Sequence, residues 1–398
     1  MSKLAVYIHA HSAWSALGTT AQHIRAHLFA THDTQPLTHT AHYSPGRVLP
    51  LGCLPADVTW PVLDFAPAHQ RSRNNALAWG AVQPLRTDID QAIDRWGAAR
   101  VALVVGTSTA GVQEGEVAAA QQLAHGSFPQ GFDYALQEMG NVAAFLAQHL
   151  GIQGPAHTIS TACSSGAKAL ATAARWLQMG LVDAVVAGGV DALCAFTVAG
   201  FSALEAVSAE RCNPLSAQRK GINLGEAAAF FVLSREASAI RLAGWGETQD
   251  AHHMSAPDPS GEGARTAMEL ALARAGMDAR AIDYVNLHGT ATVHNDAMES
   301  LAVQQVLGSA VPVSSTKPLT GHTLAAAGAL EAAIAMAVLQ DNPQGHLPVH
   351  WWDGVADHNL PALHVVQPGQ RLGYVPRAVL SNSFAFGGSN CALVLASA

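Results

Sequence analysis

One cysteine and two distant histidines in this chain could together perform thiol chemistry. Cys163 lies in the run 161–166, Thr-Ala-Cys-Ser-Ser-Gly, between strand-like residues and the alanine-rich stretch 167–177. This layout places the thiol at the first turn of a helix, where free N–H groups and the helix dipole favour the thiolate. His288 and His322 lie far downstream, in His-Gly-Thr-Ala-Thr and Lys-Pro-Leu-Thr-Gly-His. A cysteine with two histidines can carry out thioester chemistry without a metal ion.

The elements that must position these residues form an internal duplication. Residues 101–111 and 282–292 are both apolar strands that run into small, hydroxyl-bearing turns. An alanine-rich helix follows in each half, and a glycine turn with a buried strand closes it. Apolar strands that alternate with helices predict mostly parallel sheets covered on both faces. We predict two α/β halves, with residues 1–238 carrying the cysteine and residues 239–398 carrying both histidines.

Length and composition allow a large core and exclude several classes of protein. The chain has 398 residues, of which 49% are hydrophobic and 13% charged, enough for two domains or one large double domain. The net charge of −8 gives no general affinity for nucleic acid. No apolar run reaches membrane-spanning length, and no signal-peptide pattern is present. The five cysteines show no paired spacing, so we predict free thiols and a cytoplasmic location.

Five motifs, in a fixed order, give the chain a resemblance to a known family. They are Thr-Ala-Cys163-Ser-Ser-Gly, His288-Gly-Thr-Ala-Thr, Ser-Thr-Lys317-Pro-Leu-Thr-Gly-His322, Ala-Ala-Gly328-Ala-Leu-Glu331 and Asn382-Ser-Phe384-Ala-Phe386-Gly-Gly-Ser-Asn390. With them the chain resembles the β-ketoacyl-[acyl-carrier-protein] synthases of the type I/II condensing-enzyme group, in the thiolase superfamily. The resemblance implies a duplicated αβαβα fold, in which two mostly parallel sheets are sandwiched with helices.

The resemblance also implies a mechanism. Cys163 would accept an acyl chain from the phosphopantetheine thiol of a carrier protein, and malonyl-carrier protein would then lose CO₂ and attack the thioester. The product chain would be longer by two carbons. Backbone N–H groups of Cys163 and Phe386 would bind the acyl oxygen, while His288 and His322 would donate to the malonyl thioester oxygen. No cofactor or metal ion of the protein's own is implied, because phosphopantetheine arrives on the carrier.

Further residues receive roles by resemblance. Lys317 would orient and polarise His322, Glu331 would belong to the same network, and Phe386 would be the phenylalanine that moves to admit malonyl. The candidate substrate-binding residues, where the pantetheine arm and acyl chain would lie, are Thr290, Thr292, Phe201 and Phe384, together with the loop at 107–112.

The chain departs from the common family pattern at several positions. Lys220 stands where the family usually has aspartate, and Ala325 and Ala385 replace common glycines. Residues 71–75, Arg-Ser-Arg-Asn-Asn, are more similar to ketosynthases of aryl-polyene and related specialised polyene clusters. We therefore hypothesise a specialised synthase that prefers unsaturated or aryl acyl chains to saturated ones.

Three alternative functions remain open from the sequence. A chain-length factor would be a partner-dependent or non-catalytic subunit, but such subunits usually lack the nucleophile that Cys163 supplies. A thiolase would use a second cysteine, for which Cys391 is a poor candidate because it lies in a strand pattern. A type III-like synthase would use Cys-His-Asn rather than Cys-His-His.

The expected partners also follow from the resemblance. We expect an acyl-carrier protein, and either a homodimer or a heterodimer with a chain-length factor that pairs through the first-half sheets. Because carrier proteins are acidic, a basic patch near the cleft is expected, and Arg211, Arg219 and Lys220 are its candidates. No nucleic acid and no membrane insertion is expected.

Overall fold

The computed structural model describes residues 4–398, which form two α/β halves. The strands of the first half are β1 (Tyr7–Trp14), β2 (Thr38–Thr40), β3 (Leu49–Leu51), β4 (Val101–Gly106), β5 (Ala156–Ile159), β6 (Ala184–Asp191) and β7 (Ala227–Ser234). Its helices are α1 (Ala21–Leu28), α2 (Arg73–Val82), α3 (Arg86–Trp96), α4 (Val112–His125), α5 (Asn141–Leu150), α6 (Ser165–Gln178) and α7 (Ala195–Ala203).

The second half repeats this alternation with fewer helices. Its strands are β8 (Ile240–Gln249), β9 (Tyr284–Asn286), β10 (Pro312–Ser314), β11 (His364–Val365), β12 (Ala378–Ala385) and β13 (Ser389–Ser397). Its helices are α8 (Glu262–Ala275), α9 (Val293–Leu307), α10 (Lys317–Thr320) and α11 (Ala327–Leu339).

Each half contributes a sheet in which parallel and antiparallel strands are combined. The outer strands pair in parallel, β4 with β5 and β6, and β9 with β10 and β12. The strands nearer the middle are antiparallel. The three-residue turn that joins β12 and β13 is too short for a parallel crossover. A short β1–β8 pairing joins the half-sheets in the order β11-β10-β9-β12-β13-β8-β1-β7-β6-β4-β5. The two sheets predicted to be mostly parallel are therefore mixed and share an edge.

The layers follow the predicted αβαβα order. Helices α6 and α11 lie between the two half-sheets, α2, α3 and α5 cover the outer face of the first, and α8 and α9 cover the second. The two central helices approach closely, because a Cβ on Gly328 would lie only 2.7 Å from the Cβ of Ala167. All five cysteines are free thiols. No helix within residues 4–398 is long and apolar enough to cross a membrane.

The turns that precede the two central helices have the same backbone conformation. Ala162 has a φ of 51°, three residues before α6, and Leu324 has a φ of 50°, three residues before α11. The turns after β4 and β9 match as well, with φ values of 40° at Ala110 and 63° at Ala291. Left-handed backbone costs a non-glycine residue about 1–2 kcal/mol. Its recurrence at matching places confirms the predicted duplication.

A buried carboxylate joins the two halves behind the cysteine. Asp191, at the end of β6, accepts hydrogen bonds at 2.7–3.0 Å from hydroxyl and N–H donors of the turn at 107–109. It also accepts the N–H of Ala325, from the second half, at 2.7 Å. Ala325 follows the left-handed Leu324 as Cys163 follows its own left-handed neighbour. The N–H of Ala325, which Asp191 binds, is therefore the second-half counterpart of the Cys163 N–H.

Replacing Asp191 with alanine should destabilise the protein strongly. The change leaves several buried donors without an acceptor, and we expect the free energy of unfolding to fall by about 3 kcal/mol. Denaturant titration measures this loss. Asp183→Ala is the matched control, because Asp183 lies at the opposite, more exposed end of the same strand. Equal losses in the two variants would contradict the role assigned to Asp191.

Candidate active site

Cys163, His288 and His322 meet between the two halves of the chain. Their sulfur and ring-nitrogen atoms lie within 4.8 Å of one another, and Nε2 of His322 is 2.9 Å from Sγ of Cys163. The two imidazole rings stand edge to face, with centroids 5.3 Å apart. All three residues are buried, with 2–4% of their surface exposed. The geometry therefore joins the three residues that the sequence singled out.

The Cys163 thiol is protonated in its resting state. Burial has the largest effect on the thiol and raises its pKa to about 12, whereas the charge of Lys317 and the backbone N–H groups of Phe386 and Cys163 lower it. The N–H groups at the helix terminus act in the direction that the sequence predicts, but desolvation outweighs them and the nearby cation. Attack by this sulfur requires a base, and Nε2 of His322 is in contact with it.

A carboxylate holds the backbone of His288. Glu299, on α9, accepts the N–H groups of His288 at 2.8 Å and of Gly289 at 2.7 Å. The side-chain amides of Asn295 and Asn382 donate to the same carboxylate at 3.3 and 3.2 Å. Burial raises the pKa of Glu299 to about 7. The histidine is therefore fixed from its backbone rather than through its ring.

A strand-like segment from the first half holds the backbone of His322. The N–H of His322 donates to the carbonyl of Asn223 at 2.6 Å, and the His322 carbonyl accepts the N–H of Gly225 at 3.0 Å. A Cβ on Gly225 would lie 2.3 Å from the carbonyl oxygen of Thr320. Only glycine permits this approach, which explains the glycine motif in the sequence before β7.

Both imidazoles are neutral, and the protein does not fix their tautomers. Desolvation, followed by the charge of Lys317, lowers the pKa of His288 and of His322 well below 6.5. Within the described residues, neither Nδ1 atom has a hydrogen-bond partner. A neighbour at Nδ1 normally decides which ring nitrogen carries the proton. Here each Nε2 can serve either as acceptor or as donor.

Lys317 places a buried ammonium group beside the histidines. Only 2% of Lys317 is exposed, and its Nζ donates to Glu331 Oε1 at 2.5 Å and to the carbonyl oxygen of His288. Its direct partners are therefore Glu331 and the His288 backbone. Lys317 acts on His322 through its charge, which lowers the histidine pKa. Burial raises the pKa of Glu331 to about 7 despite the neighbouring ammonium.

The predicted substrate-binding residues lie around one cavity of about 600 Å³. Its wall includes the cysteine, both histidines, the four predicted substrate-binding residues Thr290, Thr292, Phe201 and Phe384, and the predicted moving residue Phe386. Phe386 is 36% exposed and its ring centroid is 5.6 Å from that of Phe201. A ring that is partly exposed at the cavity wall has room to move, as the resemblance predicts for Phe386. The loop at 107–112 does not line the cavity, because its hydroxyl-bearing residues bind Asp191 instead.

Two of the three predicted basic-patch residues are already paired. Arg219 is nearly buried and pairs with Asp357 at 2.6 Å, and Arg211 pairs with Asp33 at 2.6 Å. These ion pairs hold loops together and neutralise both cations. Lys220 lies in the cavity wall and is the candidate that remains for contact with an acidic partner.

Sequence reasoning missed the acidic residues that support the site. Asp296 and Glu299 lie three residues apart on α9 and are both buried. Asp296 accepts the N–H groups of Leu215 and Ala291. The sequence did contain a signal for them, because two carboxylates follow the His288 motif within a helix that continues with apolar residues.

Removing Glu331 should cost more stability than removing Lys317. Glu331→Ala leaves a buried ammonium with only a carbonyl partner, and we expect a loss of about 3 kcal/mol. Lys317→Met should cost less, because the pKa of Glu331, about 7, allows that carboxyl to bind a proton. Denaturant titration of both variants at neutral pH makes the comparison. The opposite order of stabilities would show that the ion pair is described wrongly.

Comparisons with known proteins place the chain in a family. The model of the β-ketoacyl synthase N-terminal domain matches residues 77–239, and that of the C-terminal domain matches residues 240–344. The chain is 36% identical over 273 residues to 3-oxoacyl-[acyl-carrier-protein] synthase 2 of Rhizobium meliloti (strain 1021), an alignment that spans 61% of each protein. It is 32% identical over 351 residues to the synthase 2 of Synechocystis sp., with 83% of each protein covered.

Solved structures agree in fold over the whole chain. A chain of the ketosynthase (ApeO) in complex with its chain length factor (ApeC) from Xenorhabdus doucetiae superimposes with a TM-score of 0.93, at 40% identity over 99% of this chain and 98% of that one. The ishigamide ketosynthase/chain length factor gives a TM-score of 0.86 at 26% identity, with both chains fully covered. With its cysteine and histidines joined across two thiolase-like halves, the chain belongs to the β-ketoacyl synthase family.

Proposed function

We propose that this chain is a β-ketoacyl-[acyl-carrier-protein] synthase that extends an acyl chain held on Cys163. The observation that carries the proposal is that one buried thiol and two neutral imidazoles have their reactive atoms within 4.8 Å of one another at a cavity. Relatives named 3-oxoacyl-[acyl-carrier-protein] synthase 2 support it. The reaction is a decarboxylative Claisen condensation in two half-reactions.

In the first half-reaction the acyl group moves to the enzyme. The Cys163 sulfur attacks the thioester carbonyl as its proton passes to Nε2 of His322, 2.9 Å away. The N–H groups of Cys163 and Phe386, which face the sulfur, stabilise the oxyanion that forms. When the tetrahedral species collapses, the carrier's thiolate leaves and takes the proton back from His322. The enzyme is then an acyl thioester with both imidazoles neutral.

In the second half-reaction the malonyl group supplies two carbons. Its terminal C–C bond breaks, CO₂ leaves, and the electron pair forms an enolate whose oxygen accepts Nε2–H bonds from His288 and His322. The enolate carbon attacks the Cys163 thioester, and the expelled thiolate regains a proton from water. His322 accepts in one step and donates in the other, which its unfixed tautomer permits.

The proposed partners follow from the same chemistry. The substrates arrive on an acyl-carrier protein, and the reaction requires no cofactor or metal ion from this chain. Both similar structures described above are complexes of a ketosynthase with a chain length factor, which supports pairing with a second thiolase-fold subunit. We propose either a copy of this chain or a chain length factor as that subunit. The phenylalanine-lined cavity supports a preference for unsaturated or aryl primers.

Intact-protein mass tests the acyl-enzyme directly. The wild-type chain, mixed with acyl-carrier proteins that bear saturated, polyene or aryl chains, should gain one acyl group, and Cys163→Ala should gain none because it lacks the nucleophile. Polyene or aryl chains should load faster than saturated ones. Cys391→Ala, which removes a buried strand thiol away from the cavity, is the matched control and should load normally.

The acylation result separates the proposal from its alternative. Absence of any mass increment, with and without a second subunit, would favour a non-catalytic chain-length-factor-like role. Loading only in the presence of the second subunit would support a partner-dependent synthase. Equal or faster loading of saturated chains would reject the specialised primer preference while leaving the reaction class intact.

Alanine at the two histidines should have unequal effects. His288→Ala removes only an enolate donor, so malonyl decarboxylation should slow by about 10²–10³-fold while acylation of Cys163 stays near the wild-type rate. His322→Ala should slow both, because His322 also takes the thiol proton. Rates come from carrier-bound products and from the acyl mass increment under single-turnover conditions.

The pH profile provides the control for this assignment. Because the pKa of both imidazoles is lowered well below 6.5, they stay neutral when the pH falls through that value. Imidazole protonation should therefore cause no loss of wild-type decarboxylation rate from about pH 8 to about pH 6. The carboxyls of Glu299 and Glu331, with pKa values of about 7, titrate in this range, so the profile is also recorded for Glu299→Gln and Glu331→Gln. A half-maximal rate near pH 6.5 that both glutamine variants retain, or equal acylation by both alanine variants, would contradict the separate roles.

A further inference from the structure

A lysine that the mechanism does not use contacts the loop that supplies one oxyanion donor. Lys168, in the first turn of α6, places its Nζ 2.6 Å from Oγ of Ser389. The hydroxyl of Ser164, the residue immediately before the same helix, donates to the same oxygen at 3.1 Å. Ser389 is the first residue of β13 and ends the turn that begins at Phe386. Two side chains from the nucleophile helix thus converge on one hydroxyl of that turn.

The turn depends on external contacts for its position. Gly387 and Gly388 have φ values of 79° and 74°, a conformation that gives little resistance to rearrangement. The early part of the turn bonds to the segment that contains Asp250 and Met254. The backbone N–H of Gly387 donates to the carbonyl of Met254 at 2.8 Å, and the backbone N–H of Asp250 donates to the carbonyl of Gly388 at 2.9 Å. Its end is held from the other side by Lys168 and Ser164.

The charge of Lys168 is committed to this contact. Within residues 4–398, Lys168 has no carboxylate within 4.0 Å, and its only side-chain hydrogen bond is to Ser389. Hydrogen bonds from charged donors are shorter and about twice as strong as those between neutral groups. A cation here holds the Ser389 oxygen more firmly than Ser164 could alone.

We propose that Lys168 is a positioning residue for the oxyanion hole, fixing Ser389 so that the Phe386 N–H stays directed at the oxygen of the acyl group on Cys163. This inference rests on the proposed acyl transfer. Lys168 touches neither substrate nor reacting atoms, and it acts through the turn between Phe386 and Ser389. Geometric errors of about 1 Å at such sites can cost about 10²-fold in rate. The ammonium group on α6 therefore couples the helix that carries the nucleophile to the loop that completes its site.

The test compares two reactions of the same thiol. Acyl transfer from an acyl-carrier protein needs the oxyanion hole, whereas alkylation of Cys163 by iodoacetamide needs only the nucleophile and access to it. Lys168→Met removes the charge and keeps the length of the side chain. We expect single-turnover acyl transfer to fall about tenfold and the alkylation rate to stay within about twofold. Lys168→Arg, which retains a cation, should restore most of the transfer rate.

Arg175→Met is the matched control on the same helix. Arg175 pairs with Glu247 on the surface, away from the turn, so its replacement should leave both reactions near wild type. All variants are measured in the assembly in which the wild-type chain is acylated. If the wild-type chain is not acylated, the proposed function is rejected, and that result is distinct from a failure of the role of Lys168. Unchanged acyl transfer in Lys168→Met, parallel loss of both reactions, or an arginine variant no faster than methionine would overturn the inference.

Discussion

The relative position of the two halves at the site depends on one buried carboxylate. Asp191 accepts donors from the turn after β4 and also the N–H of Ala325, close to His322 in the chain. Cys163 and His322 come from different halves, yet their reactive atoms are 2.9 Å apart. The tie between the turns behind them keeps that distance short, together with the first-half backbone that binds His322 through Asn223 and Gly225. The duplicated fold supplies two matching turns. The N–H of Cys163 in one turn faces the proposed oxyanion, and the corresponding N–H of Ala325 in the other turn donates to Asp191.

The electrostatics of the site follow from burial and from one buried cation. Burial, and after it the charge of Lys317, lowers the pKa of both histidines. Burial raises the pKa of the Cys163 thiol, and the charge of Lys317 opposes that shift. The two imidazoles and the thiol are then uncharged at rest, and the ionisable groups around them are the Lys317–Glu331 pair and the carboxyl of Glu299. Charge appears only when the thiol proton moves or when an enolate forms, and the N–H donors are already in place at that moment. Such preorganised donors are the larger part of catalysis at sites of this kind.

The sequence predicts the reacting residues of this protein better than the residues that hold them in place. Cys163, His288 and His322 could be found because motif and resemblance agreed, and the αβαβα order followed from apolar strands that alternate with helices. The mixed sheet was not predictable from apolar runs, since buried parallel and antiparallel strands look alike in composition. The protonated thiol was missed because burial cannot be read from a helix-terminal position. Asp191, Glu299 and Lys168 were missed because their roles depend on contacts with residues far away in the chain.

A single-turnover condensation asks whether Cys163, His288 and His322 act as one condensing site. The chain is first loaded with an acyl group on Cys163, freed from the donor carrier, and then mixed with malonyl-carrier protein. We expect the acyl mass to leave the chain as the carrier gains a 3-oxoacyl group two carbons longer than the primer. Retention or hydrolysis of the acyl group, while malonyl is merely decarboxylated to acetyl, would contradict it.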